Sequence, residues 1–196
     1  MRLISRAARA FALSMALVAA NACGGGERLA AQGGQPAREY DADARIVRTA
    51  AGDDAMNAAI DQARATVPQF IQRLTNAPPG LTYLGVKVRL GDPRGEGEYI
   101  WLYDVTYTDG KIAGKLVDDA QMFSGFHAGD VVRVEPREIS DWMTVENGRA
   151  CGGFTSRIVV AEVPAKVRAA YMAQMGIPRL PPGNAICDDG SAGTRR

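Results

Sequence analysis

The residues that could do chemistry in this chain are few and scattered. His127 is the single histidine, set between Gly125-Phe126 and Gly129-Asp130. Nucleophilic catalysis would need Ser124, Ser140 or Ser156 to reach it. No G-x-S-x-G elbow surrounds Ser124, so a surface loop histidine is the plainer expectation. Asp118 and Asp119 share that loop, with Asp104 and Asp130 on neighbouring strands. Oxygen-rich loops bind calcium, but EF-hand spacing is absent. A solvated acidic loop is expected, and no metal is assigned. Asp141-Trp142 is a more telling pair, with Arg157 beyond the next turn. Two readings stand side by side. One is a salt bridge between Asp141 and Arg157 under a core Trp. The other is a recognition patch of Trp101, Asp141, Trp142 and Arg157, since Trp and Arg are common interface anchors. Gly152-Gly153 allows close backbone approach there, or marks a bulge. No phosphate loop or dinucleotide fingerprint is present, and no cofactor is expected.

The cysteines are Cys23, Cys151 and Cys187. An odd count is awkward in an oxidising compartment. A modified Cys23 removes the difficulty and leaves Cys151 and Cys187 as a pair. A bridge between them would close a loop of about 35 residues, worth roughly 3–4 kcal/mol in the chain-entropy model. The competing reading is a buried free Cys151 and a loose Cys187. There is no C-x-x-C pair or Cys/His cluster of the kind zinc requires.

The N-terminal segment explains why Cys23 would be modified. Arg2, Arg6 and Arg9 make a basic start, and Phe11 to Ala20 (FALSMALVAA) is apolar. Small residues then lead to Ala22-Cys23. This is the layout of a secretory signal peptide. The apolar run is about half the roughly 20 residues that a spanning helix needs. Ala20-Asn21-Ala22 offers an A-x-A site for soluble release into the periplasm. With Cys23 it also resembles a bacterial lipoprotein signal, which implies acylation at Cys23 and attachment to a membrane. Each buried acyl CH₂ is worth roughly 0.8 kcal/mol, so several chains hold firmly where one does not.

Positioning elements follow from periodicity. Residues 24 to 52 are rich in Gly, Ala, Gln and Arg and read as a flexible linker. Asp53 is a good N-cap. Met56, Ile60, Ala63, Val67, Phe70, Ile71 and Leu74 then form one face of an amphipathic helix, with Pro68 expected to kink or divide it. From Leu81 the period becomes two. Leu84, Val86, Val88 and Leu90 point inward, and Gly85, Lys87 and Arg89 outward. Further strands are expected at Glu98–Tyr107, Lys111–Val117 and Val131–Glu135. Asn147-Gly148 is a tight-hairpin signal between Asp141–Glu146 and a strand from Arg149. Val159–Val163 is read as the strand that completes the sheet. Pro164 opens a last helix ending at Gly176, followed by an irregular tail.

The expected fold is α+β: a curved antiparallel sheet of about five to six strands, packed by the N-terminal helix, with a C-terminal helix. The expected organisation is a signal peptide over 1–22 and a linker over 23–52. The domain covers 53–163, with a helix and tail over 164–196.

Several pieces resemble, in order, the YegJ-like bacterial domain, a family of unknown function. They are Ala59-Ile60-Asp61-Gln62-Ala63-Arg64 with Phe70, Glu98-Tyr99-Ile100-Trp101-Leu102, Gly114-Lys115-Leu116, Gly129-Asp130-Val131-Val132, Ile139-Ser140-Asp141-Trp142-Met143 and Gly152-Gly153-Phe154-Thr155-Ser156-Arg157. The resemblance implies a domain from Asp53 to about Val160 and brings no catalytic residue with it.

Charge narrows the function. The chain holds 23 basic and 22 acidic residues. Loss of the three leader arginines leaves a slight acidic excess and no basic footprint for nucleic acid. The leading expectation is a non-catalytic, membrane-tethered binding or accessory module with an envelope protein or polymer as partner. The alternatives are an envelope hydrolase using Glu98, Asp130 or Asp141, and a structural envelope protein with no discrete ligand.

Overall fold

The computed structural model describes residues 17–20, 38–41, 46–50, 52–92, 96–174 and 179–188. Cys23, the turn residues 93–95 and the expected helix end at Gly176 lie outside these. Helix α1 (Asp54–Asn76) begins where Asp53 accepts the Met56 amide at 3.0 Å. It ends at Ala77, whose φ of 41° is left-handed. Pro68 sits inside one helix that is not divided there. An interior proline costs about 3 kcal/mol. Seven residues of this helix are buried, Met56, Ile60 and Phe70 among them, and side chains of that size contribute roughly 1.5–3 kcal/mol each.

Six antiparallel strands follow: β4 (Leu81–Gly91), β5 (Gly97–Thr108), β6 (Lys111–Leu116), β7 (Val131–Val134), β8 (Ile139–Glu146) and β9 (Arg149–Gly152). Hydrogen bonding orders them β7-β6-β5-β4-β8-β9. The tight turn forms where expected at Asn147-Gly148, with φ of 51° and 74°, and a second forms at Asp109-Gly110, with 52° and 75°. Paired left-handed residues match the right-handed twist of hairpin strands.

Three short strands extend the sheet: β1 (Leu17–Ala20), β2 (Arg38–Asp41) and β3 (Ile46–Ala50). β1 lies between β3, to which it is parallel, and the Gly97–Tyr99 end of β5. Arg38–Asp41 and Ile46–Ala50 pair antiparallel, although composition alone reads this stretch as linker. Arg38 also clasps the Asp53 carboxylate at 2.9 Å and Glu162 at 3.0 Å.

One expected strand is a helix. Residues Phe154–Glu162, which include most of the anticipated closing strand Val159–Val163, form α2. Gly153, with φ of 70°, turns the chain out of β9. Val159 and Val160 then pack on Met56 and Ile60 of α1. α3 (Ala165–Gln174) follows Pro164 as anticipated. The expected disulfide is formed: Cys151 is bonded to Cys187. Residues 179–188 run beside β9 as a strap, with Gly152 N–H donating to Ile186 O at 2.7 Å and Asp188 N–H to Ala150 O at 2.8 Å.

The main core lies between α1 and one face of the sheet. Phe70, Val86, Val88, Leu102, Ile112, Ile139, Trp142 and Phe154 belong to it. The Trp142 ring centroid is 5.7 Å from that of Phe70 and 5.9 Å from that of Phe154. Trp142 Nε1 donates to Thr66 Oγ1 at 2.9 Å, which satisfies the indole inside the core. On the other face Met172 and Leu180 pack over Met143, Val145 and Ala150. β8 is therefore buried on both sides, and seven of its eight residues are buried. Phe70→Ala should lower the free energy of urea unfolding by about 3–5 kcal/mol, leaving the disulfide intact. A loss below about 1 kcal/mol would place Phe70 outside the core.

Candidate functional site

The densest polar chemistry lies on the face of the sheet away from α1. Trp101 of β5 pairs with Lys87 of β4, and Lys87 pairs with Asp141 of β8. The three form a row across three strands. The sequence pattern reads Lys87 as outward-facing, but it is 2% exposed. α2, Met172 and Leu180 cover this face, so alternation here separates two buried sides rather than core from solvent. Lys87 Nζ donates to Thr155 Oγ1 at 3.0 Å and lies 5.1 Å from the centre of a Trp101 ring.

Asp141 is fully buried and receives five donors. Its Oδ1 accepts the Trp142 amide at 2.8 Å and the Phe154 amide at 3.0 Å. Its Oδ2 accepts the Thr155 amide at 2.9 Å, the Thr155 hydroxyl at 2.7 Å and the Ser156 amide at 3.3 Å. Phe154, Thr155 and Ser156 open α2, whose N-cap Gly153 has no side chain to offer. A carboxylate from a strand thus caps the helix across space, satisfying orphan amides and meeting the positive end of its dipole.

Burial is the largest influence on both charges. It pushes Lys87 down to about 8, partly opposed by Asp141. It pushes the Asp141 carboxyl upward, opposed by Lys87, the Thr155 hydroxyl and the backbone amides. Arg157 is also pushed down by burial, with Asp141 pulling the other way.

The four sequence candidates take different places. Trp142 and Asp141 are both 0% exposed. They are adjacent in one strand and therefore serve opposite faces of the sheet. Trp101 is half-buried beside Lys87. Arg157 lies on α2 rather than a strand and donates to carbonyls of Gly183 at 2.6 Å and of Gly152 and Ala185 at 2.8 Å. Its hydrogen bonds grip the strap in place of the expected pairing with Asp141. Gly152 does bring two backbones together. A Cβ there would stand 2.1 Å from Trp142 O, and φ is +78°.

The remaining candidates are dispersed. Glu98 pairs with Leu90, on the α1 face with Val88 and Val86. Its carboxylate accepts the Gln121 amide at 2.8 Å and the Met122 amide at 2.9 Å. It thereby fastens the 117–130 loop. Glu98 and Asp141 lie on opposite faces and cannot flank one substrate. Asp130 accepts the His127 amide at 2.8 Å. Asp119 accepts the Ala128 amide at 2.8 Å and lies 3.7 Å from His127 Nδ1. Burial, with help from Asp119, pushes Asp118 up to about 6. Asp104, at φ of 50°, marks an irregularity in the β5–β6 pairing and binds Lys115 at 3.0 Å. Ser140 and Ser156 are buried, with no hydrogen-bond partner for their hydroxyls among the described residues. Among the described residues no three His, Cys, Asp or Glu side chains group as for a metal ion.

The bacterial family described as "Uncharacterized protein conserved in bacteria (DUF2314)" matches residues 53–178, from the cap of α1 to just past α3. The chain belongs to this family. It is 33% identical over 101 residues to the "Uncharacterized protein YegJ" of Escherichia coli (strain K12), covering 52% of this chain and 64% of that protein. It is 28% identical over 141 residues to the "Putative ankyrin repeat protein" of Neisseria meningitidis serogroup B, covering 68% of this chain and 56% of that protein. The chain thus spans less than two thirds of the length of either relative. No solved structure matches it. The expected resemblance is confirmed, and its quoted pieces fall on α1, β5, β6, β7, β8 and the start of α2 of the DUF2314 domain.

Sequence reasoning missed Lys87 and Thr155. A lysine inside the apolar strand Leu84–Leu90 was the available signal. One of the four lysines should titrate near pH 8 in ¹³Cε-lysine NMR spectra, and Lys87→Arg should remove that resonance. A titration near the ordinary 10.5 would refute it. Between about 8 and 10.5 the unfolded chain keeps a proton that folded Lys87 has released. The contribution of this group to stability therefore rises with pH through that window. Lys87→Met should flatten the rise. Asp141→Asn leaves Lys87 without its counter-charge and should cost about 3–5 kcal/mol in urea unfolding. A cost below about 1 kcal/mol would remove Asp141 from its capping role.

Proposed function

We propose that the protein is a non-catalytic binding or accessory module of the bacterial envelope, exported and tethered to a membrane by acylation at Cys23. The observation that carries the non-catalytic reading is the use made of the buried carboxylates. Asp141 and Glu98 each bind backbone amides at a junction between elements, on opposite faces of one sheet. Groups engaged in this way hold the scaffold together and are poorly placed to exchange protons with a substrate. The leader pattern and Cys23 support export and attachment, and the cysteine pair that remains is bonded. Cleavage after Ala22 would remove β1, which lies outside the family's residues 53–178 and outside the six-strand order of the domain.

A binding surface should be sought where apolar side chains face water. Among the described residues, Phe126 and Val131 are the exposed large hydrophobics, at 38% and 61%. They flank Asp130 at β7, the outer strand on its side of the sheet. Outer strands also present unpaired backbone groups to a partner. Trp142 is a core residue and is unsuited to probing the surface.

The test has two parts. Cys23→Ser should move the mature protein from the membrane to the soluble fraction, and the wild-type mass should include acyl chains. An unmodified Cys23 in the mature protein would end the tether. Cross-linking in the intact envelope should then capture one partner in near-equal amount, lost on combining Phe126→Ser with Val131→Thr. The same background in both samples would overturn the binding role.

A further inference from the structure

The disulfide has a cation against it. Arg73, in the last turn of α1, places Nη2 3.4 Å from Cys187 Sγ and 3.9 Å from Cys151 Sγ. Its Nε pairs with Glu146 at 2.9 Å and its Nη1 donates to Gln69 O at 3.3 Å. These contacts fix the guanidinium over the bridge. Disulfide sulfurs are weak acceptors and gain little from a full positive charge. A thiolate gains a great deal, and neighbouring Arg or Lys residues lower thiol pKa values for this reason. The placement therefore favours the reduced, ionised form more than the oxidised one.

We propose that the Cys151–Cys187 disulfide is an exchangeable latch on the 179–188 strap, opened by a dithiol reductant, with Arg73 stabilising the thiolates. Access selects the order of events. Cys187 is half-buried and Cys151 buried. A thiolate of the dithiol attacks Cys187 Sγ, the S–S bond breaks, and Cys151 Sγ leaves with the electron pair beside Arg73. The second thiolate of the reductant attacks the mixed disulfide, closes its own ring and releases Cys187 Sγ. Two electrons pass to the protein. The two protons of the dithiol pass to the released sulfurs or, while Arg73 holds a thiolate, to solvent.

Opening leaves the strap on weaker fasteners. Arg157 still grips Gly183 and Ala185, Gln62 Nε2 reaches Asn184 O at 3.0 Å, and Arg179 pairs with Asp188. These hold the two cysteines near one another, so the latch can close again. Release would lift Leu180 from Met143, Val145 and Ala150. The charged groups around the sulfurs are Arg73 from α1, Glu146 from β8, Arg157 from α2, and Arg179 and Asp188 from the strap. Arg73 Nη2 is within hydrogen-bonding reach of both sulfurs.

The test follows the thiols in the reduced full-length protein by peptide-resolved alkylation against pH, so that Cys23 is scored apart. Cys187 should react with a midpoint at least one pH unit below the ordinary value of about 8.5. Arg73→Gln should raise that midpoint by about one unit or more, and Arg73→Lys should keep it low. A purely structural Arg73 would lower stability in the Gln variant without moving the midpoint, and that result overturns the proposal. Reduction should also speed hydrogen exchange at the Gly152 and Asp188 amides at least tenfold, with the Trp142 amide still protected as a check on the fold. Unchanged exchange at Gly152 and Asp188 would show that the bridge is no latch.

Discussion

A single buried carboxylate joins the parts of this fold that are far apart in sequence. Asp141 binds the first amides of α2 from a strand thirteen residues upstream of Phe154. A helix entered from a glycine N-cap has no side chain of its own to satisfy those amides. Without Asp141 they would be buried and unpaired, at a cost of about 1–3 kcal/mol each. The arrangement also explains the two glycines before the helix. Gly152 must pass against Trp142 O, and Gly153 must turn in the left-handed region. The carboxylate in turn needs a counter-charge, and Lys87, one strand away, supplies it through the Thr155 hydroxyl.

From that junction the rest of the second face is organised. α2 is held at its start by Asp141 and along its length by Met56 and Ile60 of α1. It presents Arg157 to the strap, whose carbonyls Arg157 collects while the disulfide fixes the other end. Trp142, the next residue after Asp141, anchors the opposite face between Phe70 and Phe154. Two adjacent residues of β8 therefore secure both layers of the domain. A recognition patch built from that pair is incompatible with this division, because each side chain is enclosed on its own side.

Much of the architecture was legible from short-range pattern. Asn147-Gly148 needed left-handed residues in both turn positions, and its sequence announced it. The spacing of Met56, Ile60, Ala63, Val67 and Phe70 marked one buried helix face. Parity of the cysteines pointed to the pair that is bonded. Other features were not legible for physical reasons. Val159-Val160 have β-branched side chains, and only the amide-binding carboxylate and the flank of α1 make them helical. Lys87 alternates with valines as a solvent-facing residue would, and only the layer above it makes it buried. Arg38 to Ala50 lacks apolar periodicity, and its strands pair with each other and with β1, with Arg38 also held by Asp53 and Glu162.

The sequence by itself determined what depends on neighbours within a few residues: turns, caps, the amphipathic period and the cysteine count. The tertiary structure decided which charges are enclosed and what they hold. The β4–β8 register puts Lys87 and Asp141 on one face, but burial depends on what packs above that face. Those covering residues come from α2, α3 and the strap, up to 93 positions after Lys87 in the case of Leu180. The dielectric setting of an ionisable group is a property of the whole packed domain, so no local window of sequence contains it.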